Sequence, residues 1–119
     1  PNEFFKRQEA DLLCEIPVDL VLAALGGDID VPSPDGKKLR ISIPEGCQNE
    51  RQFRLKGKGM PVLQSRRYGD LFVEIHVEIP KDLNKKQINL LKEFEKEASK
   101  NNSPESNDYI SRLKKIFKN

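Results

Sequence analysis

The sequence holds one histidine and two cysteines, so chemistry that needs an imidazole or a thiol has few places to go. His76 lies in "DLFVEIHVEIP", with Glu74 and Glu78 two residues to either side. In an extended segment the three side chains share one face, where the carboxylates could hold a proton or a cation with the ring. A single imidazole without a nucleophile or a second imidazole lacks the parts of a catalytic triad or a common zinc site. Cys14 and Cys47 form no C-x-x-C pair, so the usual zinc and redox spacings are absent, while a disulfide between them is left open. The carboxylates are scattered, with no pair whose spacing argues acid–base work. Neither a Walker A sequence nor G-x-G-x-x-G occurs. The chain is therefore expected not to be an enzyme, with no catalytic residue and no metal ligand set.

The other candidate for chemistry is "FRLKGKGMP", Phe53 to Pro61. Residues 51–68 carry Arg51, Arg54, Lys56, Lys58, Arg66 and Arg67 and no acid, whereas residues 1–36 carry eight acids against Lys6 and Arg7. A local field of that sign can steer an anion, although charge runs more often keep a strand face solvated. Phosphate loops lie between a strand and a helix N-terminus. Here Pro61 and an extended "VLQSRRYGD" follow instead. The better reading is a strand, Phe53 to Lys56, that leaves its sheet through positive φ at Gly57 and Gly59.

The elements that must position these groups are mostly strands. Leu12, Cys14 and Ile16 alternate with Leu13 and Glu15, and Leu39, Ile41 and Ile43 with Arg40 and Ser42. Leu71, Val73, Ile75, Val77 and Ile79 line one face of a further strand, with Phe72, Glu74, His76 and Glu78 on the other. Such period-two patterning marks one buried and one wet face, the habit of antiparallel sheets. Asp35-Gly36 reads as a hairpin turn. A short helix is expected in "PVDLVLAALGG", capped by Asp19 and ended by Gly26 or Gly27. A second helix is expected over about 84–99, with Asn84 and Gln87 as a capping box and Ile88, Leu91 and Phe94 at helical spacing. After the polar "NNSPESND", Ile110, Leu113, Ile116 and Phe117 fall on one face of a last helix. That helix is marginal alone, so its apolar stripe needs a surface on this chain or on a second copy.

With 119 residues, 36% hydrophobic and 34% charged, the chain can bury one modest core under a highly charged surface. No stretch is long or apolar enough for a membrane span, and the lack of a disulfide framework fits a reducing compartment. The chain opens on Pro1 rather than Met and is expected to be a piece of a longer protein.

Three blocks in order, "DLLCEIPVDLVLAALGGDIDVPSPDG", "FRLKGKGMP" and "YGDLFVEIHVEIPKDLNKKQINLLKEF", resemble the C-terminal part of bacterial DnaJ co-chaperones, and "NSPESNDYISRLKKIF" resembles that family's tail. A departure is Glu9-Ala10, where the family usually has a glycine-containing turn. The resemblance implies a mostly β fold: a small two-sheet, sandwich-like domain with one short helix, followed by C-terminal helices. It divides the chain into a junction (1–10) from a preceding client-binding subdomain, a second C-terminal β-subdomain (11–83) and a helical dimerisation segment (84–119). The family's J-domain His-Pro-Asp motif and its zinc region of four C-x-x-C-x-G-x-G repeats do not occur here, so no cofactor is expected in this chain.

From the resemblance follow a client groove at Leu12, Leu13, Cys14, Ile16, Ile29 and Val31, and a homodimer contact at Ile88, Leu91, Phe94, Ile110, Leu113, Ile116 and Phe117. The implied partners are a second copy, unfolded client polypeptides and, in the intact protein, a DnaK-type chaperone, all in the cytoplasm. Two other readings stand beside this one. The piece dimerises only, or it is a nucleic-acid-binding β-domain using the basic run. The second would need stacking aromatics among the cations, and Phe53 and Tyr68 are the only two there.

Overall fold

The computed structural model describes residues 4–118 and divides the chain into two compact units, residues 1–80 and 81–119. The first unit contains β1 (Phe5–Gln8), β2 (Asp11–Asp19), α1 (Leu20–Leu25), β3 (Gly27–Pro32), β4 (Lys38–Ile43), β5 (Gln52–Leu55) and β6 (Leu71–Glu78). A four-stranded sheet runs β1-β2-β6-β5 and a two-stranded sheet pairs β3 with β4. The second unit is α2 (Lys85–Glu97) and α3 (Pro104–Phe117). The mostly β, two-sheet fold with one short helix and C-terminal helices is the one expected.

Alternation builds the core. Leu71, Val73 and Ile75 of β6 are fully buried, and their β2 partners Leu12, Cys14 and Ile16 point the same way. Val31 of β3 and Ile41 and Ile43 of β4 close the cluster from the second sheet, with Ala23 of α1 and Cys47 at its margin. Each such aliphatic side chain contributes about 1.5–3 kcal/mol on burial. Cys14 and Cys47 are free thiols, both buried. Loss of water, and secondarily the Glu15 charge, push the Cys14 thiol above its ordinary value.

Two expectations are corrected. The central pair β2–β6 is parallel, Leu12 opposite Leu71 through Asp19 opposite Glu78. Alternation reports which side chains are buried and carries no strand direction. Ile79 lies beyond the end of β6 and is 68% exposed. Within the stretch expected as a junction, Phe5–Gln8 forms an edge strand antiparallel to Asp11–Cys14. Its turn passes through Glu9 at φ 55°, the left-handed region that the family's glycine would occupy at less cost.

The capping signals form as expected. Asp19 Oδ1 accepts from Leu22 N at 2.8 Å, and Gly26 N closes α1 on Leu22 O at 2.7 Å. Asn84 and Gln87 make the reciprocal capping box at 2.8 and 2.9 Å. Asp35 organises the β3–β4 turn, accepting from Ser33 Oγ and from Lys37 N. These two bonds hold its carboxyl below the ordinary carboxylate range, the Ser33 bond most of all.

Candidate functional site

The six residues expected to line a client groove do not share one surface. Cys14 is 0%, Val31 1% and Leu12 5% exposed, because each sits on the inward side of its strand. They are core residues, and a client cannot touch Cys14 or Val31 while the sheets stay closed. Ile16 and Ile29 point inward too, but are only partly buried at the margin of the core. Leu13 alone belongs to the opposite, outer face of the four-stranded sheet.

On that outer face Leu13 pairs across strands with Phe72, both half-buried. Phe72 was legible in the sequence as a wet-face residue but carried no role there. The two contribute the apolar floor of a shallow hollow of about 470 Å³, rimmed by Lys6, Arg7, Gln8, Asp11 and Gln52. Beside it, Glu15 and Glu74 are register partners on β2 and β6. Lys6 Nζ donates to Glu15 Oε1 at 2.7 Å and Gln52 Nε2 to Glu74 Oε1 at 2.8 Å. His76 Nε2 lies 2.7 Å from Glu74 Oε2 and 3.2 Å from Glu15 Oε2. The Gln52 bond first, and the His76 bond second, hold the Glu74 carboxyl below the ordinary range. The neighbour expected for His76 besides Glu74 was Glu78. The actual one is Glu15, which only the β2–β6 register could reveal.

The basic run is partly committed to the fold. The Arg54 guanidinium meets Asp70 Oδ2 at 2.6 Å, and Gly57 N donates to Asp70 Oδ1 at 2.8 Å. Those bonds, Gly57 first, keep the buried Asp70 carboxyl below the ordinary range. Arg51 covers the Phe53 ring at 4.9 Å from its centroid, and Phe53 packs on the core. Its ring therefore has one face occupied, while Tyr68 stands exposed. A second hollow of about 540 Å³ lies between the β3–β4 turn and residues 57–61, with Lys37, Lys38 and Lys58 on its walls.

The two glycines of "GKG" act differently, which corrects the expectation of positive φ at both. Gly57 has φ 74° and open space around it. At Gly59 the constraint is space: a Cβ would stand 2.6 Å from Ala10 O, 2.7 Å from Asp70 O and 2.7 Å from Gly69 C. Backbone bonds hold that approach, Gly59 N to Gly69 O and Met60 N to Ala10 O, both 2.8 Å.

In the second unit, α2 and α3 bury none of their side chains among the described residues. Ile88, Leu91 and Phe94 of α2 and Ile110, Leu113, Ile116 and Phe117 of α3 are all exposed, from 36% at Leu113 to 78% at Phe117. Among the described residues, no helix is long and apolar enough to cross a membrane.

A family model described as DnaJ C terminal domain matches residues 1–80. The chain is 52% identical over 117 residues to the chaperone protein DnaJ of Agrobacterium fabrum, covering 98% of this chain and 31% of that protein. The same figures hold for the chaperone protein DnaJ of Rhizobium etli. Identity is 51% over 117 residues, with the same coverage, for that of Brucella canis. The chain thus spans 31% of the length of these curated relatives, matching their C-terminal part.

Proposed function

Since the chain belongs to the DnaJ C-terminal domain family, we propose that it is a non-catalytic co-chaperone segment that self-associates through α2 and α3 and holds unfolded polypeptide weakly on its β unit. The observation that carries self-association is the pair of helices whose large apolar side chains, Leu90 and Tyr109 included, are all exposed in the single chain. An amphipathic helix gains most of its stability from covering that stripe. In a two-fold dimer each copy offers the same patch. Two client arms on one dimer raise the effective concentration of the second contact, so weak individual sites suffice.

The client surface we favour is the outer-face hollow of Leu13 and Phe72, with Ile16 and Ile29 at the core margin as a second apolar contact. Strand edges beside it let an extended peptide pair through its backbone, which tolerates varied sequence. In the longer protein the segment would help deliver clients to a DnaK-type chaperone in the cytoplasm. Alone it is not expected to stimulate that partner's ATPase.

Sedimentation velocity of the chain with and without residues 103–119 tests the assignment. The whole chain is expected as a dimer and the shortened one as a monomer; a shortened chain that still sediments as a dimer overturns the role of α3. Binding of a reduced, unfolded protein that is insensitive to salt supports client holding. Single-stranded DNA binding that falls steeply with salt would instead favour the nucleic-acid reading. The occupied ring face of Phe53 and the engagement of Arg54 by Asp70 count against the latter.

A further inference from the structure

The outer face of the four-stranded sheet holds three ligand-type atoms that converge. Glu15 and Glu74 stand directly opposite each other on the two central strands. Like charges in that relation destabilise a sheet unless something neutral or positive lies between them. What lies between them is His76 Nε2, 2.7 Å from one Oε2 and 3.2 Å from the other. Each carboxylate's remaining oxygen is already engaged, Oε1 of Glu15 by Lys6 and Oε1 of Glu74 by Gln52. Both Oε2 atoms are thereby turned toward the ring nitrogen. The three ligand atoms fall within 4.8 Å of one another.

We propose that Glu15, Glu74 and His76 form a surface site for a divalent transition cation of the zinc type. Tetrahedral sites with bonds of about 2.0–2.2 Å set neighbouring ligand atoms roughly 3.3–3.6 Å apart. The observed spacings reach that by small side-chain rotations, without backbone movement. One imidazole and two carboxylates suit zinc, copper or nickel better than calcium or magnesium, which take oxygen ligands. Gln52 and Lys6 supply the outer hydrogen bonds that orient such carboxylates. His76 is 40% and Glu15 36% exposed at the side chain, which leaves room for water as a further ligand. The Lys6 charge beside Glu15 and this exposure keep the affinity moderate. The site would differ from the family's cysteine-rich zinc region in ligand type, and it ties together β2 and β6, whose pairing centres the fold.

Because His76 is the sole histidine, an isotope-labelled imidazole gives one ring signal to follow. The experiment is a ZnCl2 titration of the whole chain in non-chelating buffer, read by calorimetry and by the His76 ring nitrogen resonances. One ion per chain, with the Nε2 resonance shifting in step with the heat, is expected. His76→Gln and Glu74→Gln should each weaken binding at least tenfold, and Gln52→Ala roughly tenfold through lost orientation. An Nε2 resonance that stays in place at saturating Zn2+, or equal affinity in His76→Gln, overturns the proposal. If Glu74→Gln fails to fold, the ring resonance of the unaltered chain decides alone.

Discussion

Replacing each glycine of "GKG" by alanine separates two physical costs that look alike in sequence. At Gly57 the added methyl meets nothing within 4 Å, so the cost is the left-handed backbone alone, about 1 kcal/mol. At Gly59 three backbone atoms at 2.6–2.7 Å would have to retreat to about 3.4 Å to restore ordinary contact. They belong to the Glu9–Ala10 turn and to Gly69-Asp70, and are held there by the bonds from Met60 N to Ala10 O and from Gly59 N to Gly69 O. Forfeiting both bonds costs about 2 kcal/mol, and residual overpacking about 1 more. With roughly 5 °C per kcal/mol for a unit of this size, Gly57→Ala should lower Tm by about 5 °C and Gly59→Ala by about 15 °C. Thermal unfolding followed by circular dichroism measures both. Gly57→Asn, which tolerates the left-handed region, should recover part of the loss, while Gly59→Asn should fare no better than alanine. A Gly59→Ala chain as stable as Gly57→Ala would refute the close-approach argument.

Two further outcomes are expected. Asp35, Asp70 and Glu74 all have carboxyls held below their ordinary values of 3.8 (Asp) and 4.5 (Glu), so the unfolded chain binds more protons than the folded one as the medium turns acid. Their contribution is complete above those values and is lost as pH falls below them through the depressed range. Asp70→Asn should flatten part of that slope in melts between pH 5 and about 2. On the client side, Leu13→Ser with Phe72→Ser should weaken holding of a reduced, unfolded protein several-fold in an aggregation-suppression assay, measured well below a Tm that the loss of this half-buried cross-strand pair lowers. Unchanged holding would move the client surface elsewhere.

What the sequence made legible followed from local rules. The capping box at Asn84 and Gln87, the Asp19 cap and the inward faces of β2 and β6 are set by neighbours within four residues or by period-two alternation. What it hid depends on long-range register. The alternation of Leu12 and Cys14, and the resemblance that brought in Val31, could not say whether these side chains met a client or the second sheet, and they lie in the core. Phe72 looked like one wet-face residue among charges until Leu13 was placed opposite it. Likewise the run at 51–68 contains no acid, yet Asp70 comes to Arg54 across the β5–β6 pair.

The parallel pairing at the centre of the sheet also fixes when the β unit can form. Asp70 N donates to Asp11 Oδ1 across 59 positions of chain, and the β2–β6 ladder begins beside that bond. During synthesis β1, β2 and the β3–β4 hairpin leave the ribosome well before β6, the parallel partner of β2. Until Glu78 is out, β2 has a bare inner edge and an uncovered apolar row. Contacts of such long sequence separation slow folding and lengthen the time an edge stays open to other chains. The protein is thus itself an aggregation-prone nascent chain for that interval. A nascent chain arrested short of β6 should bind a holding chaperone, and one extended past it should not.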